Sequence, residues 1–195
     1  VIQAGCPGPL EYIGNNLGDT GLQTLFEDLG FYETPAIRAE LAQAISPSSI
    51  STPAITAIGQ ADMLVSPLQM ALAAANFSNE GVRPTPQLIL TAEDFQGDQR
   101  SYQSPNENTR IFSAVQSNQI AKMLANPQGK FWETTASALT DSGTQLTWYL
   151  AGTLPNAEQA LTVVVLIERF EPDFASRIGL GLLQEALTTN PDDTQ

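Results

Sequence analysis

Apolar positions along this chain recur with two periods, and the change of period divides it. In "DTGLQTLFEDLG" (residues 19–30), Leu22, Leu25, Phe26 and Leu29 follow the i, i+3, i+4, i+7 spacing of one helix face. Asp19 or Thr20 can cap the start, and Gly30 suits a left-handed stop. A Pro/Ser-rich stretch, "ISPSSISTPAIT", reads as an ordered loop. In "GQADMLVSPLQMALAAANFSNEGVRPTP", Ser66, Pro67 and Gln69 form a helix-start signature of cap, first helical position and capping-box partner. That helix is rich in alanine, which predicts close packing. It ends between Asn79 and Gly81, and Pro84 prevents a restart. "QLILT" is a short strand candidate, and "GDQ" a turn. Residues 113–126 predict an amphipathic helix with Val115, Ile120, Met123 and Leu124 on its apolar side.

From residue 137 the period shortens. "SALTDSGTQ" and "TWYLAGTL" read as a hairpin of two strands, and "ALTVVVLIERF" as a buried strand with a near-continuous β-branched run. "DFASRIGLGLLQEALTT" closes the pattern as a helix with Phe174, Ile178, Leu182 and Leu183 on one face. Three strands followed by a helix folding back predict an α+β arrangement, an antiparallel sheet covered by helices.

Composition narrows the function. Hydrophobic residues make up 42% of the 195, enough for a core, and the exception is the acidic end at 189–195. The net charge of −13, with Lys122 and Lys130 the only lysines, opposes binding to nucleic acid or to anionic membranes. No run approaches the ~20 apolar residues of a membrane span. A single cysteine, Cys6, rules out an intrachain disulfide. There is no histidine, which excludes Ser-His-Asp triads, Cys-His dyads and histidine-based metal sites. Glu11, Asp19, Glu27 and Asp28 do not share a spacing that converges on one point, so they read as a solvated acidic face rather than metal ligands.

Asp141-Ser142-Gly143-Thr144 admits several readings. Asp-Ser-Gly is a good turn, since Asp and Ser bond nearby backbone and Gly accepts positive φ. The same four residues match the Asp-[Ser/Thr]-Gly-[Ser/Thr] loop of aspartic proteases, where two such loops pair their carboxylates. This chain has one copy and would need a symmetric dimer.

The surrounding residues supply a third reading. Residues 58–86 resemble, without gaps, the Gly-Gln-Gly…(Thr/Ser)-Pro-Leu-Gln-Met-Ala…Ala-Asn-Gly-Gly…Pro segment of penicillin-binding protein transpeptidases, serine acyltransferases that crosslink peptidoglycan. "LTDSGTQLTWYLAGTLP" is similar to that family's Lys-Thr-Gly-Thr strand followed by its Trp-Phe-x-Gly-x-x-Pro strand. "LEYIGNNLGDTGLQTLFEDLGF" resembles the helical stretch after its Ser-x-Asn motif. The resemblance runs from about Gly5 to Leu187. It implies a β-lactamase/transpeptidase-like fold, with residues 1–188 as the C-terminal portion of such a domain, and no cofactor or metal.

It also implies a degenerate site. The nucleophilic Ser-x-x-Lys is not found, because Gln119 and Pro127 stand three residues before Lys122 and Lys130. The Ser-x-Asn slot falls on Gly5, Cys6 and Pro7. The Lys-Thr-Gly-Thr slot falls on Asp141, Ser142, Gly143 and Thr144, so an anion replaces the lysine that would attract a substrate carboxylate. For two charges ~4 Å apart at an effective dielectric of 20, each such interaction is roughly 4 kcal/mol. A difference of that size is about a thousandfold in affinity. Cys6, with no histidine or nearby lysine, reads as an unactivated thiol. The expectation is a catalytically inactive structural or interaction module in cell-wall assembly. Binding of peptidoglycan peptide or β-lactam would be weak or lost, and other cell-wall or division proteins would be partners. The domain would lie outside the cytoplasmic membrane, anchored by a segment not in these residues. The alternative is an active D,D-transpeptidase or peptidase whose Ser-x-x-Lys lies upstream.

Overall fold

The computed structural model describes residues 6–35, 37, 49–61, 63–101 and 107–188. Gly5, the acidic end at 189–195 and part of the Pro/Ser-rich loop lie outside the described residues.

The first helix, α1 (Pro7–Asp28), starts well before the expected residue 19 and is broken at Gly18, whose φ is 66° and ψ −171°. The break places Asp19 where the second helical segment begins, as its capping propensity suggests, and its carboxylate accepts the Ile50 N–H at 2.8 Å. The helix stops as expected at Gly30, with φ 81°. Gly30 N–H bonds Glu27 O at 2.9 Å and Phe31 N–H bonds Phe26 O at 2.9 Å. This is the paired 5→2 and 6→1 closure of a Schellman stop, and the Phe26 and Phe31 rings pack across it at 5.9 Å. Leu22, Phe26, Phe31, Ile50 and Ala73 form the first core cluster, joined by Leu25 and Leu29.

A short helix, α2 (Pro53–Ala57), sits against α1 where Gly14 leaves no room for a side chain: an added Cβ would meet Ala57 and the Pro53 carbonyl, both at 2.5 Å. Next, α3 (Pro67–Ser78) begins with the expected capping box. The Ser66 hydroxyl accepts the Gln69 N–H at 3.2 Å, and the Gln69 Oε1 accepts the Ser66 N–H at 2.9 Å. Ala73 faces the first core and Ala74 the second, which explains the alanine-rich sequence: one helix is packed closely on two sides.

Two small antiparallel ladders follow, β1 (Val82–Arg83) with β4 (Thr109–Arg110), and β2 (Thr91–Glu93) with β3 (Gln99–Ser101). The strand expected at 87–91 begins only at Thr91, and Leu88, Ile89 and Leu90 are exposed. With no core to cover them, apolar character alone does not make a strand. Helix α4 (Ala114–Met123) carries a second capping box, Ser113 with Gln116. Its inward residues are Ser117 and Ala121 with Leu124 just beyond, while Val115 and Met123 are exposed, contrary to the expected face. Ser117 is buried because its hydroxyl donates to Asn76 O at 2.8 Å.

The main sheet is antiparallel with order β5-β6-β7: β5 (Phe131–Leu139), β6 (Gln145–Thr153) and β7 (Thr162–Ile167). Helix α3 covers one face and α5 (Pro172–Thr188) the other, in the layered α+β arrangement expected. Trp132 is fully buried against Ala74, Ala121 and Leu124, and its indole N–H donates to the Ser78 hydroxyl at 2.9 Å. Gly152, its partner across the ladder, leaves room for the indole, since an added Cβ would lie 2.7 Å from Trp132 Cζ2. On the other face Tyr149 and Ala151 meet Ala175 and Leu183. The buried stripe of α5 is therefore Ala175, Gly179 and Leu183, while Phe174 and Leu182 point outward. The expected face holds at Leu183 and fails at Phe174 and Leu182, because the helix lies so close to the sheet that Gly179 touches the Tyr149 ring; a Cβ there would come within 2.4 Å.

Candidate functional site

The β5–β6 hairpin holds the residues that the sequence singled out. Thr140 N–H bonds Thr144 O and Gly143 N–H bonds Thr140 O, both at 2.9 Å, and Gly143 has φ 80°. Asp141, Ser142, Gly143 and Thr144 are all exposed in this turn. The Thr140 hydroxyl accepts the Thr144 N–H at 3.0 Å and lies 2.8 Å from the Ser142 hydroxyl. The placement of Asp141–Thr144 on a cleft strand is thus corrected. The strand ends at Leu139 because Asp-Ser-Gly is a turn sequence and Gly143 takes the positive φ it needs. Exposure also reduces the expected electrostatic penalty. In water the same pair of charges interacts by only about 1 kcal/mol at 4 Å.

The strand itself offers something different. Since Thr140 and Thr144 are a hydrogen-bonded pair, alternation sends the backbone N–H and C=O of Glu133, Thr135, Ser137 and Leu139 to the outer edge of β5. One end of that edge is covered, because Glu133 N–H donates to Leu124 O at 3.0 Å. At the other end Leu139 N–H donates to Gln60 Oε1 at 3.3 Å. Between them Thr135 and Ser137 present backbone groups beside exposed side chains. The geometry is a short backbone shelf of the kind that accepts an extended peptide by strand addition.

Gln60 is at this shelf. Gln69 is not; its amide donates to Phe31 O at 2.8 Å and Glu33 O at 3.0 Å, tying α3 to the end of α1. Tyr149 is core and Trp148 half-buried. Cys6 is the exposed N-cap residue of α1 with no side-chain capping bond, and Pro7 is the first helical residue. Among the described residues no hydrogen bond joins them to the hairpin.

Glu133 is a site residue that the sequence reading missed, because the strand was started at Ser137. Its carboxylate accepts the Tyr149 hydroxyl at 2.8 Å on the α5 face. Burial, then this hydrogen bond, then the carboxylate charge push the Tyr149 phenol well above its ordinary range. The alternation in "FWETTAS", with Trp132 opposite Gly152, is the signal that could have found it. From Phe131 to Thr153 there is no lysine, arginine or histidine, and the carboxylates are Glu133 and Asp141.

A concavity of about 390 Å³ lies elsewhere, among α1, α3 and the β1–β4 ladder. It contains the Arg83–Glu33 ion pair, 2.9 Å apart, and no residue of the hairpin.

A helix-sheet-helix layer around a three-strand antiparallel unit, with an edge shelf, defines the class. The model of the penicillin binding protein transpeptidase domain matches residues 9–169, and the chain belongs to that family. This membership leaves no support for the aspartic-protease reading. No curated protein matches the chain by sequence. Among solved structures, penicillin-binding protein A of Mycobacterium tuberculosis is similar at 21% identity and a TM-score of 0.79, over 94% of this chain and 47% of that one. The D,D-transpeptidase domain of a peptidoglycan glycosyltransferase from Eggerthella lenta is similar at 18% identity and a TM-score of 0.78, over 94% and 51%. Penicillin-binding protein 3 of M. tuberculosis, complexed with aztreonam, is similar at 17% identity and a TM-score of 0.74, over 98% and 52%. At these identities the likeness concerns the fold. The chain spans about half the length of the structures it matches.

The two non-glycine residues with positive φ among those described gain meaning here. Ala61 (φ 62°) and Glu80 (φ 50°) stand where the family segment carries the last glycine of Gly-Gln-Gly and the first of Ala-Asn-Gly-Gly. Both hold a left-handed backbone, the conformation that glycine adopts most readily.

Proposed function

We propose that this domain takes part in cell-wall assembly as a transpeptidase-fold module without acyl transfer of its own, and that it contributes structure or protein contacts. It works outside the cytoplasmic membrane, anchored by a segment not in these residues, and its partners are other cell-wall or division proteins. Among the described residues no helix is long and apolar enough to cross a membrane. One observation carries the reading: the β5–β6 hairpin has no basic side chain over its whole length and two carboxylates instead. Whether the family's lysine slot is taken as Asp141 or as a residue on β5, no ammonium group is there to receive a substrate carboxylate. Binding of a peptidoglycan peptide or a β-lactam is accordingly weak or lost.

The test is covalent labelling of the full-length protein with a fluorescent penicillin. The expected outcome is no labelled band. Robust labelling would instead favour an active D,D-transpeptidase with its serine upstream, a reading for which the unmatched half of the relatives leaves room.

A further inference from the structure

The concavity among α1, α3 and the β1–β4 ladder, about 390 Å³, falls within the range of roughly 300–1,000 Å³ that small-molecule sites occupy. Its central group is Arg83. In the β1–β4 ladder Arg83 stands directly opposite Thr109, so both side chains leave the same face and line the concavity. The guanidinium lies against Gly30, where an added Cβ would stand 2.8 Å from Arg83 Cζ. Gly30 thus serves twice, as the left-handed stop of α1 and as clearance for this side chain. The Arg83 side chain is only 16% exposed, while Glu33, its partner at 2.9 Å, is 62% exposed. That bond engages one of the five guanidinium N–H groups. Among the described residues Nε and Nη1 donate to no other group. A nearly buried guanidinium with donors to spare is a fork for a carboxylate. The wall beside it is held in place, because the Gln69 amide donates to Glu33 O at 3.0 Å.

The opposite wall carries a second carboxylate, Glu107. Thr85 fixes its backbone: the Thr85 hydroxyl donates to Glu107 O and the Thr85 N–H to Asn108 Oδ1, both at 2.9 Å. Among the described residues Glu107 has no ion pair. This carboxylate and the net charge of −13 repel a plain anion. A zwitterion has no net charge to repel, and its ammonium can meet Glu107. Between the two charges the surface is apolar, with Leu29 from α1, Leu72 from α3 and the prolines at 35, 84 and 86. We propose that this concavity binds a free aliphatic amino acid, with its carboxylate on Arg83, its ammonium on Glu107 and its side chain against Leu29 and Leu72.

The experiment is equilibrium dialysis of radiolabelled DL-leucine against the full natural gene product. Saturable binding with a Kd below about 1 mM is expected. Two competitors dissect the charges: 4-methylpentanoate is leucine without its ammonium, and 3-methylbutylamine is leucine without its carboxylate. Each is expected to compete at least about tenfold more weakly than unlabelled leucine, because each loses one charge-assisted contact. Arg83→Gln and Glu107→Gln are each expected to weaken leucine binding by about tenfold. Glu107 is exposed, so its variant should keep the melting temperature, and it carries the test if Arg83→Gln does not fold. Absence of saturable binding up to about 10 mM overturns the proposal. So does 4-methylpentanoate competing as well as leucine, which means a plain anion site. Binding that Glu107→Gln leaves unchanged also overturns it. Penicillin labelling reads a different part of the molecule, so neither result decides the other.

Discussion

Single residues hold strain and close contacts that can be measured one at a time. Ala61 and Glu80 are exposed and left-handed, a conformation that costs a non-glycine residue roughly 1–2 kcal/mol. Part of that gain is offset by the larger unfolded-state freedom of glycine. Ala61→Gly and Glu80→Gly are each expected to stabilise by about 0.5–1 kcal/mol, which raises the melting temperature by roughly 1–4 °C in calorimetry. Gly179 is the opposite case. Gly179→Ala drives a methyl into the Tyr149 ring and should cost about 1–3 kcal/mol in denaturant unfolding. Tyr149 itself sets a pH dependence. Its folded pKa is raised, so its contribution is complete below the unfolded value near 10 and is lost as pH rises beyond it. Stability is expected to fall above about pH 10. Tyr149→Phe should lower neutral-pH stability by about 1–2 kcal/mol, through the lost bond to a carboxylate, and reduce the alkaline slope. Tyr32, raised chiefly by burial, leaves a residual slope.

At the scale of elements, sequence reading succeeded where a local signal and the tertiary environment agreed. The Gly30 stop, the Ser66–Gln69 box and the β7 run are each written in a few adjacent residues and each form as expected. It failed where packing distance decides. Small residues, Ala175 and Gly179 on α5 and Ser117 and Ala121 on α4, are the inward ones, and larger apolar residues beside them stay outside. A pattern that counts apolar bulk cannot see that a helix lies close enough to exclude it. The candidate site was legible as a hairpin but not in its register. Asp141 drew attention away from β5, whose first six residues were left out of the strand. Gln69 joins two elements, and Gln69→Ala removes the capping box and leaves the carbonyls of Phe31 and Glu33 without its amide. A loss of about 2–4 kcal/mol in chemical denaturation is expected, and Gln69→Glu should not rescue it, since a carboxylate cannot donate to those carbonyls.

At the scale of the whole molecule, three small cores among the described residues are arranged in series: α1 with α3, α3 with α4 and β5, and β6 with α5. Their junction is the layer where Trp132 is held by Ser78 above Gly152. One consequence is optical. The protein has two tryptophans, one sealed in that layer and one, Trp148, in partial contact with solvent. Trp132 emission will shift to longer wavelength only when water reaches the interlayer, whereas Trp148 will answer to quenchers in the intact protein. Unlabelled material thus carries a gauge that separates opening of the layers from events on the sheet surface.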